Sequence, residues 1–139
     1  MQDIRDLVER DVDEFITLRR DLHQHPELAF KEIRTGNIVA SLLEQWGCTV
    51  ERDIGTTGVV GQLRNGASTA AIGLRADMDA LPILEETNLP YASVNAGVMH
   101  ACGHDGHTTM LLAAAKALAE RRNFNGIVNL IFQPAEEYG

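Results

Sequence analysis

The strongest constraint on the fold is a strand–helix–strand pattern in the second half of the chain. Two apolar runs, residues 70–74 (AAIGL) and 127–132 (IVNLIF), flank an alanine- and leucine-rich stretch at residues 108–122. The first run lacks alternation, which suits a strand buried on both faces, and the second run is expected to be another buried strand. The stretch between them ends on two arginines that suit a helix C-terminus. Two strands joined through a helix form a βαβ unit. The sequence therefore predicts an α/β fold with helices packed on a mostly parallel sheet.

The first half of the chain predicts two helices followed by a hairpin. Residues 3–21 repeat apolar side chains at helical spacing, and a second helix is expected at residues 31–46, closed by Gly47. Residues 48–54 and 58–63 are short β-type runs separated by a glycine- and threonine-containing turn. No repeat, low-complexity segment or internal linker interrupts the chain, so residues 1–139 are expected to form one unit.

Composition and charge exclude several classes of partner. The 139 residues include 12 lysines and arginines against 20 aspartates and glutamates, a formal net charge of −8. A uniformly acidic surface offers no electrostatic attraction to nucleic acid or to an anionic membrane. No apolar run approaches membrane-spanning length, and the N-terminus does not have the pattern of a signal peptide. We therefore expect a cytoplasmic protein whose two cysteines stay reduced.

Three polar segments occupy comparable places beside the predicted strands and helix. Residues 75–82 (RADMDALP) follow the first buried strand, residues 133–139 (QPAEEYG) follow the second, and residues 100–107 (HACGHDGH) precede the helix. Sites in open α/β sheets form at the carboxyl ends of strands, next to helix N-termini. All three segments are therefore expected at one edge of the sheet.

The segment HACGHDGH contains three of the five histidines and one of the two cysteines. Cys102 and His104 are two residues apart, and an extended loop through Gly103 would direct both side chains to one point. Thiolate and imidazole together suit zinc, cobalt, nickel, manganese or iron, and the following helix N-terminus would favour the thiolate. A buried thiol beside hydrogen-bonded structural histidines is the alternative. The density of reactive side chains favours a metal site.

Adjacent carboxylates close the second strand. Glu136 and Glu137 should point to opposite sides if the strand geometry continues, so that one could bind a metal while the other handles protons. Buried apolar surroundings would demand partners for both charges. A solvated acidic surface is the alternative interpretation of such a pair.

Other polar residues have more conventional interpretations. Asp77 and Asp79 share a direction in extended geometry, and either support of a metal-bound histidine or capping of the next turn would explain them. His23 and His25 precede a proline, where a structural turn is favoured over a site role. Cys48 falls in a predicted strand and is expected in the core.

Taken together, four motifs resemble the amidohydrolase branch of the aminoacylase and carboxypeptidase family of metallopeptidases. That branch contains hippurate hydrolases, N-acyl-amino-acid amidohydrolases and auxin-conjugate hydrolases. The motifs are RRDLHQHPELAFKE at residues 19–32, GLRADMDALPI at 73–83, MHACGHDGHTTMLLAAA at 99–115 and LIFQPAEEYG at 130–139. They agree in order and approximate spacing, so the resemblance spans the whole chain.

The resemblance implies a catalytic α/β domain with a phosphorylase/hydrolase-like fold, two divalent metal ions and a smaller domain through which the enzyme forms a homodimer. Cys102 and His104 match metal ligands, with the thiolate bridging both ions, and Glu137 matches a further ligand. Glu136 matches the general base that activates water, and Asp79 matches the acidic residue that braces the metal centre. Asp77 stands where other branches carry a histidine ligand, and the resemblance gives it no role.

Members of the family are more than twice as long as this chain. Two tetrahedral ions need about eight coordination positions, of which a bridging Cys102, His104 and Glu137 supply roughly four or five. Residues 1–139 are therefore expected to be the N-terminal portion of a catalytic domain, without the dimerisation domain, and inactive in isolation.

The function we infer from the sequence is hydrolysis of the amide bond of an N-acyl amino acid. Water activated by two metal ions (manganese, zinc, cobalt or nickel) would attack the carbonyl, with Glu136 as the base. Two alternatives stay open at this point. One is a thiol hydrolase that uses Cys102 as nucleophile, and the other is a non-catalytic metal-binding fragment.

Overall fold

The chain folds into helices packed against a mixed four-stranded sheet. The computed structural model describes residues 4–138, so the predicted helix start at residue 3 and the final Gly139 lie outside the described residues. The elements are helix α1 (Ile4–Gln24), helix α2 (Ile33–Gln45), strands β1 (Thr49–Ile54), β2 (Gly58–Asn65) and β3 (Ala71–Asp77), helix α3 (His104–Arg121), strand β4 (Gly126–Gln133) and a 3-10 turn (Glu136–Tyr138).

The predicted α/β class is confirmed, and the sheet is mixed rather than mostly parallel within the described residues. The strand order is β1-β2-β4-β3. Strands β3 and β4 pair in parallel across α3, which is the predicted βαβ unit, whereas β2 pairs antiparallel with both β1 and β4. The short connection from β1 to β2 permits only an antiparallel hairpin, and this hairpin supplies half of the sheet.

Strand β3 differs from the expectation of a strand buried on both faces. It lies at the edge of the sheet, where Ile72 is 57% exposed, and the first buried residues of the strand are Ala76 and Asp77 at its end. The apolar sequence alone could not show this, because exposure depends on which elements cover the strand.

The core lies between the sheet and the helices. Helix α2 packs on the hairpin, α3 packs on β3 and β4, and α1 packs on α3. The largest fully buried side chains of this core are Leu43, Leu63, Met78, Leu112, Leu130 and Phe132, and Cys48 is buried with them as predicted. No helix between residues 4 and 138 is long and apolar enough to cross a membrane.

The N-terminus of α2 is held by a carboxylate from the preceding loop. Glu27 accepts hydrogen bonds from the backbone N–H groups of Arg34 (2.8 Å) and Thr35 (2.7 Å) and from the Thr35 hydroxyl (2.7 Å). These amides have no partner within the helix, and a negative charge suits the positive end of the helix dipole. The Glu27 side chain therefore caps the N-terminus of α2.

The parallel pairing of β3 and β4 brings their carboxyl ends together. Asp77 lies opposite Gln133 in the register, and the Met78 N–H continues the pairing by donating to the Gln133 carbonyl at 3.0 Å. The segments that follow both strands consequently emerge side by side, next to the N-terminus of α3. This is the edge at which the sequence placed the three polar segments.

We predict that Gly58→Ala destabilises the protein that contains this chain. A Cβ at this position would collide with the Ile54 carbonyl oxygen and approach the Pro134 Cδ to 2.9 Å. Overpacking of this kind typically costs about 1–3 kcal/mol, measured as the free energy of unfolding in urea. Gly106→Ala is the control, because its Cβ meets nothing within 4 Å and it lies inside α3. The packing argument is wrong if the two variants are equally stable.

Candidate metal centre

His104 lies at the centre of the polar cluster. It is the first residue of α3 and is buried. Its Nδ1 is 3.1 Å from Asp79 Oδ1, while its Nε2 is 3.6 Å from one carboxylate oxygen each of Asp77, Glu136 and Glu137. With the Nδ1 proton donated to Asp79, Nε2 presents a lone pair toward three carboxylates. That arrangement is repulsive unless a cation or a proton lies among them.

Cys102 joins this cluster from the other side of Gly103. Its Sγ, one nitrogen of His104 and one carboxylate oxygen of Glu137 all lie within 4.8 Å of one another. The extended loop predicted here is wrong, because His104 already belongs to α3. The two side chains converge instead because Gly103 has a left-handed backbone (φ 81°), which reverses the chain between them.

The donor set fits a divalent transition metal. Such ions contact ligand atoms at roughly 2.0–2.3 Å, so donors that lie this close need only small side-chain rotations to share one ion. Thiolate, imidazole and carboxylate suit zinc, cobalt, nickel or manganese better than calcium or magnesium. A second group of donor atoms, from Asp77, His104 and His107, is equally close together.

Asp77 is already engaged by two cationic or proton-donating partners. One of its oxygens is 2.7 Å from His107 Nδ1, and the other is 3.1 Å from Arg75 Nη1. The sequence left His107 without a role, although its place in HACGHDGH, one turn of α3 after His104, was a usable signal. These contacts balance the Asp77 charge next to the His104 ring.

The thiol of Cys102 does not behave as the helix dipole alone suggested. The pKa of Cys102 is raised, chiefly by its hydrogen bond with Glu137, then by desolvation and by the charges of Glu137, Glu136 and Asp77. The carboxylates beside Cys102 therefore disfavour its thiolate form. A bound cation would reverse this balance, because its charge favours the thiolate. The raised pKa removes support from the interpretation of Cys102 as a free thiolate nucleophile.

Asp79 connects the histidine to the glutamate segment. It is buried, and while Oδ1 contacts the His104 ring, Oδ2 accepts the backbone N–H of Glu137 at 3.0 Å. One carboxylate thus orients an imidazole and anchors the backbone of the neighbouring loop.

The expectation that Glu136 and Glu137 face opposite sides is wrong. Strand β4 ends at Gln133, and Ala135 adopts a left-handed backbone (φ 52°) from which the 3-10 turn begins. Both carboxylates consequently approach the same His104 nitrogen. Their other partners still differ, because Glu137 bonds to Cys102 whereas Glu136 is 3.9 Å from the Arg75 guanidinium.

A buried polar network lies behind His104, and the sequence did not predict it. His23, in the last turn of α1, has Nδ1 2.7 Å from Asp105 Oδ2 and Nε2 3.0 Å from Glu85 Oε1. Arg19 contacts the same Asp105 oxygen at 3.0 Å. Because Asp105 directly follows His104, this network holds the start of α3 against α1. The four-residue spacing of Arg19 and His23 on one helix face was the available signal.

The two remaining histidines, His25 and His100, have different environments. His25 bonds through Nδ1 to the Asp21 carbonyl at 2.8 Å, which agrees with the structural turn predicted for it. His100 is buried, and within residues 4–138 neither of its ring nitrogens has a hydrogen-bond partner. Burial lowers the pKa of His100 to about 4, so this imidazole is neutral near pH 7.

An α/β fold that gathers cysteine, histidine and carboxylate side chains at the ends of parallel strands has the form expected of a metal-binding α/β protein. Comparison with known proteins agrees with this class. Residues 73–139 match the model of peptidase family M20/M25/M40, and the resemblance seen in the four motifs is thereby confirmed. The second part of the chain is therefore similar to this family.

Relatives and solved structures extend the similarity over most of the chain. It is 60% identical over 124 residues to the hippurate hydrolase of Campylobacter jejuni, covering 89% of this chain and 32% of that protein. It is 46% identical to the N-acetyl-L-cysteine deacetylase of Bacillus subtilis, covering 91% of this chain and 29% of the relative. The crystal structure of Bacillus subtilis YxeP, described as a dinuclear metal-binding peptidase, superimposes with a TM-score of 0.87 at 44% identity, covering 93% of this chain and 36% of that one. The chain spans about a third of the length of these proteins.

We predict that Glu137→Gln accelerates alkylation of Cys102 in the metal-free protein. The substitution removes the carboxylate that contributes most to the raised pKa of the thiol, so more thiolate is present at pH 8. The rate is followed by mass spectrometry of the peptide containing Cys102 after exposure to iodoacetamide, with Cys102→Ser as the unlabelled control. Rapid alkylation of the unsubstituted protein below pH 7 would contradict the prediction and revive the thiol-hydrolase alternative.

Proposed function

We propose that the protein containing this chain is a metal-dependent amidohydrolase that cleaves the amide bond of N-acyl amino acids. The observation that carries the proposal is the convergence of Cys102, His104 and Glu137 with a second glutamate beside them. Relatives named for hippurate and N-acetyl-L-cysteine support the substrate class, because both compounds are amides between an acyl group and an amino acid.

In this proposal Cys102, His104 and Glu137 would hold the metal. The donor set suits manganese, zinc, cobalt or nickel. Bound divalent ions supply Lewis-acid polarisation of the substrate carbonyl and lower the pKa of water at the site. Asp79 keeps the His104 ring in the orientation that turns Nε2 toward the site.

Glu136 is proposed as the general base. Its carboxylate borders the cluster with a side chain that is 37% exposed, so a water and a substrate amide can reach it. Glu136 takes a proton from the attacking water and delivers it to the nitrogen of the leaving amino acid. The Arg75 guanidinium lies 3.9 Å from this carboxylate.

The three proposed ligands are too few for two complete metal sites. Two ions need about eight positions, and the three donor side chains fill roughly four or five of them. We therefore propose that residues 1–139 are a portion of a catalytic domain whose remaining ligands lie elsewhere in the protein. We also propose a homodimer formed through a separate domain. On this proposal the isolated chain binds metal weakly and does not turn over substrate.

Replacing each adjacent glutamate by glutamine should separate their roles in the full-length protein. Glu136→Gln keeps its shape and leaves the metal ligands intact, so we expect a metal-replete protein whose kcat falls on the order of 10²–10⁴-fold, as is typical when a general base is lost. Glu137→Gln replaces a carboxylate ligand by a weaker amide donor, so we expect metal-depleted protein. Metal analysis and N-benzoylglycine hydrolysis are measured side by side.

The reverse pattern would show that the two roles are exchanged between Glu136 and Glu137. Two active, metal-replete variants would show that the pair is surface charge and would remove the basis of the proposal.

Metal removal gives an independent test of the same function. We expect exhaustive chelation to abolish hydrolysis, and we expect manganese, cobalt, nickel or zinc to restore it, because the cluster supplies side chains that can bind a metal. The metal content is verified by elemental analysis. Full activity of the metal-free protein would contradict a metal-dependent mechanism.

A further inference from the structure

Glu32 is a buried carboxyl group that connects three separate parts of the fold. It lies directly before α2 and is 0% exposed. Its Oε2 accepts the Thr57 hydroxyl at 2.5 Å from the turn before β2, and its Oε1 accepts the Ala135 backbone N–H at 2.8 Å from the segment after β4. The side chain does not cap its own helix. Its bonds are made to the hairpin and to the glutamate segment instead.

The bond to Ala135 acts at the residue where the chain turns into the site. Ala135 has φ 52°, a left-handed conformation that is unfavourable for a residue with a Cβ unless its surroundings impose it. This conformation ends the strand direction and aims the next two residues at His104. The Ala135 N–H donates a hydrogen bond to the fully buried Glu32 carboxylate, and this contact holds the Ala135 amide in place.

A second carboxylate holds the same segment two residues later. Asp79 accepts the Glu137 N–H at 3.0 Å, so Glu136 lies between two anchored amides, one bonded to Glu32 and one to Asp79. Asp79 also touches His104, which ties its anchor to the metal centre directly. Among residues 4–138, the Glu32 side chain reaches the site through the backbone at Ala135.

We propose that Glu32 is a positioning residue that places the Glu136–Glu137 carboxylates through its hydrogen bond to the Ala135 N–H. The inference rests on the proposed function for the roles of those two glutamates. Glu32 lies in the loop before α2, more than a hundred positions away in sequence from the carboxylates that it positions.

Glu27 provides a matched control five residues earlier. It is also a carboxylate that accepts backbone N–H groups and a threonine hydroxyl, and among the described residues its side-chain hydrogen bonds lie at the N-terminus of α2. Loss of Glu27 should therefore destabilise the fold without displacing Glu136 or Glu137.

The experiment compares Glu32→Met, Glu32→Gln and Glu27→Met in the full-length protein. Methionine keeps the approximate volume and removes both acceptors, whereas glutamine keeps one oxygen for the Ala135 N–H and can still pair with Thr57. Three quantities are measured: the thermal unfolding midpoint, the affinity and visible spectrum of bound Co²⁺, and kcat and KM for N-benzoylglycine.

For Glu32→Met we expect Co²⁺ affinity to fall about 10–100-fold, which is the range for residues that support metal ligands, with an altered Co²⁺ spectrum. We expect kcat to fall while KM changes less, because the base is displaced more than the substrate pocket. Glu32→Gln should restore most of the affinity and the spectrum. Glu27→Met should lower the unfolding midpoint and leave the Co²⁺ affinity and kcat unchanged.

The proposal is overturned if Glu32→Met binds Co²⁺ with unchanged affinity and spectrum, if Glu32→Gln is as impaired as Glu32→Met, or if Glu27→Met weakens Co²⁺ binding equally. If Glu32→Met does not fold, Glu32→Asp replaces it, because the shorter side chain withdraws the carboxylate from Ala135 and should weaken Co²⁺ binding in the same way. The Co²⁺ measurements need no turnover. These measurements would therefore still test the role of Glu32 if the protein proved not to be a hydrolase, so that failure of one proposal can be told from failure of the other.

Discussion

The parallel pairing of β3 with β4 is the interaction on which the candidate site depends. It places Asp77 opposite Gln133 and extends through the bond from Met78 to the Gln133 carbonyl. Because both strands run in the same direction, the segments after them leave the sheet at one edge and meet the start of α3. An antiparallel arrangement of these two strands would put the aspartates and the glutamates at opposite ends of the sheet.

Negatively charged side chains are concentrated at the same edge of the sheet, and arginine and histidine side chains contact two of the aspartates. Arg75 and His107 contact Asp77, while Arg19 and His23 contact Asp105 directly behind His104. The carboxylates of Glu136 and Glu137 remain turned toward the His104 nitrogen and the thiol of Cys102. Close carboxylates with so few cations among them favour a divalent metal electrostatically, and this is the physical basis of the proposed chemistry.

Local sequence patterns predicted most of the secondary structure, because the helices and the hairpin depend on short-range periodicity and turn residues. The predicted helices correspond to α1, α2 and α3, and the four apolar or β-type runs correspond to β1 to β4. The errors concern non-local features. The mixed direction of the sheet depends on β2 pairing with β4, and the exposure of Ile72 depends on what covers the edge. Neither is encoded in a window of neighbouring residues.

The sequence by itself determined which residue types the site contains and that they would lie at one edge, since the order of strands, helix and polar segments limits where they can emerge. Tertiary structure decided how the side chains converge: through the left-handed Gly103 and Ala135 rather than an extended loop and strand. It also decided that Glu32 and His23, which precede α2 and end α1, contact segments more than eighty residues away. Such contacts exist only after the chain has folded, because long-range hydrogen bonds depend on packing and not on local conformational preference.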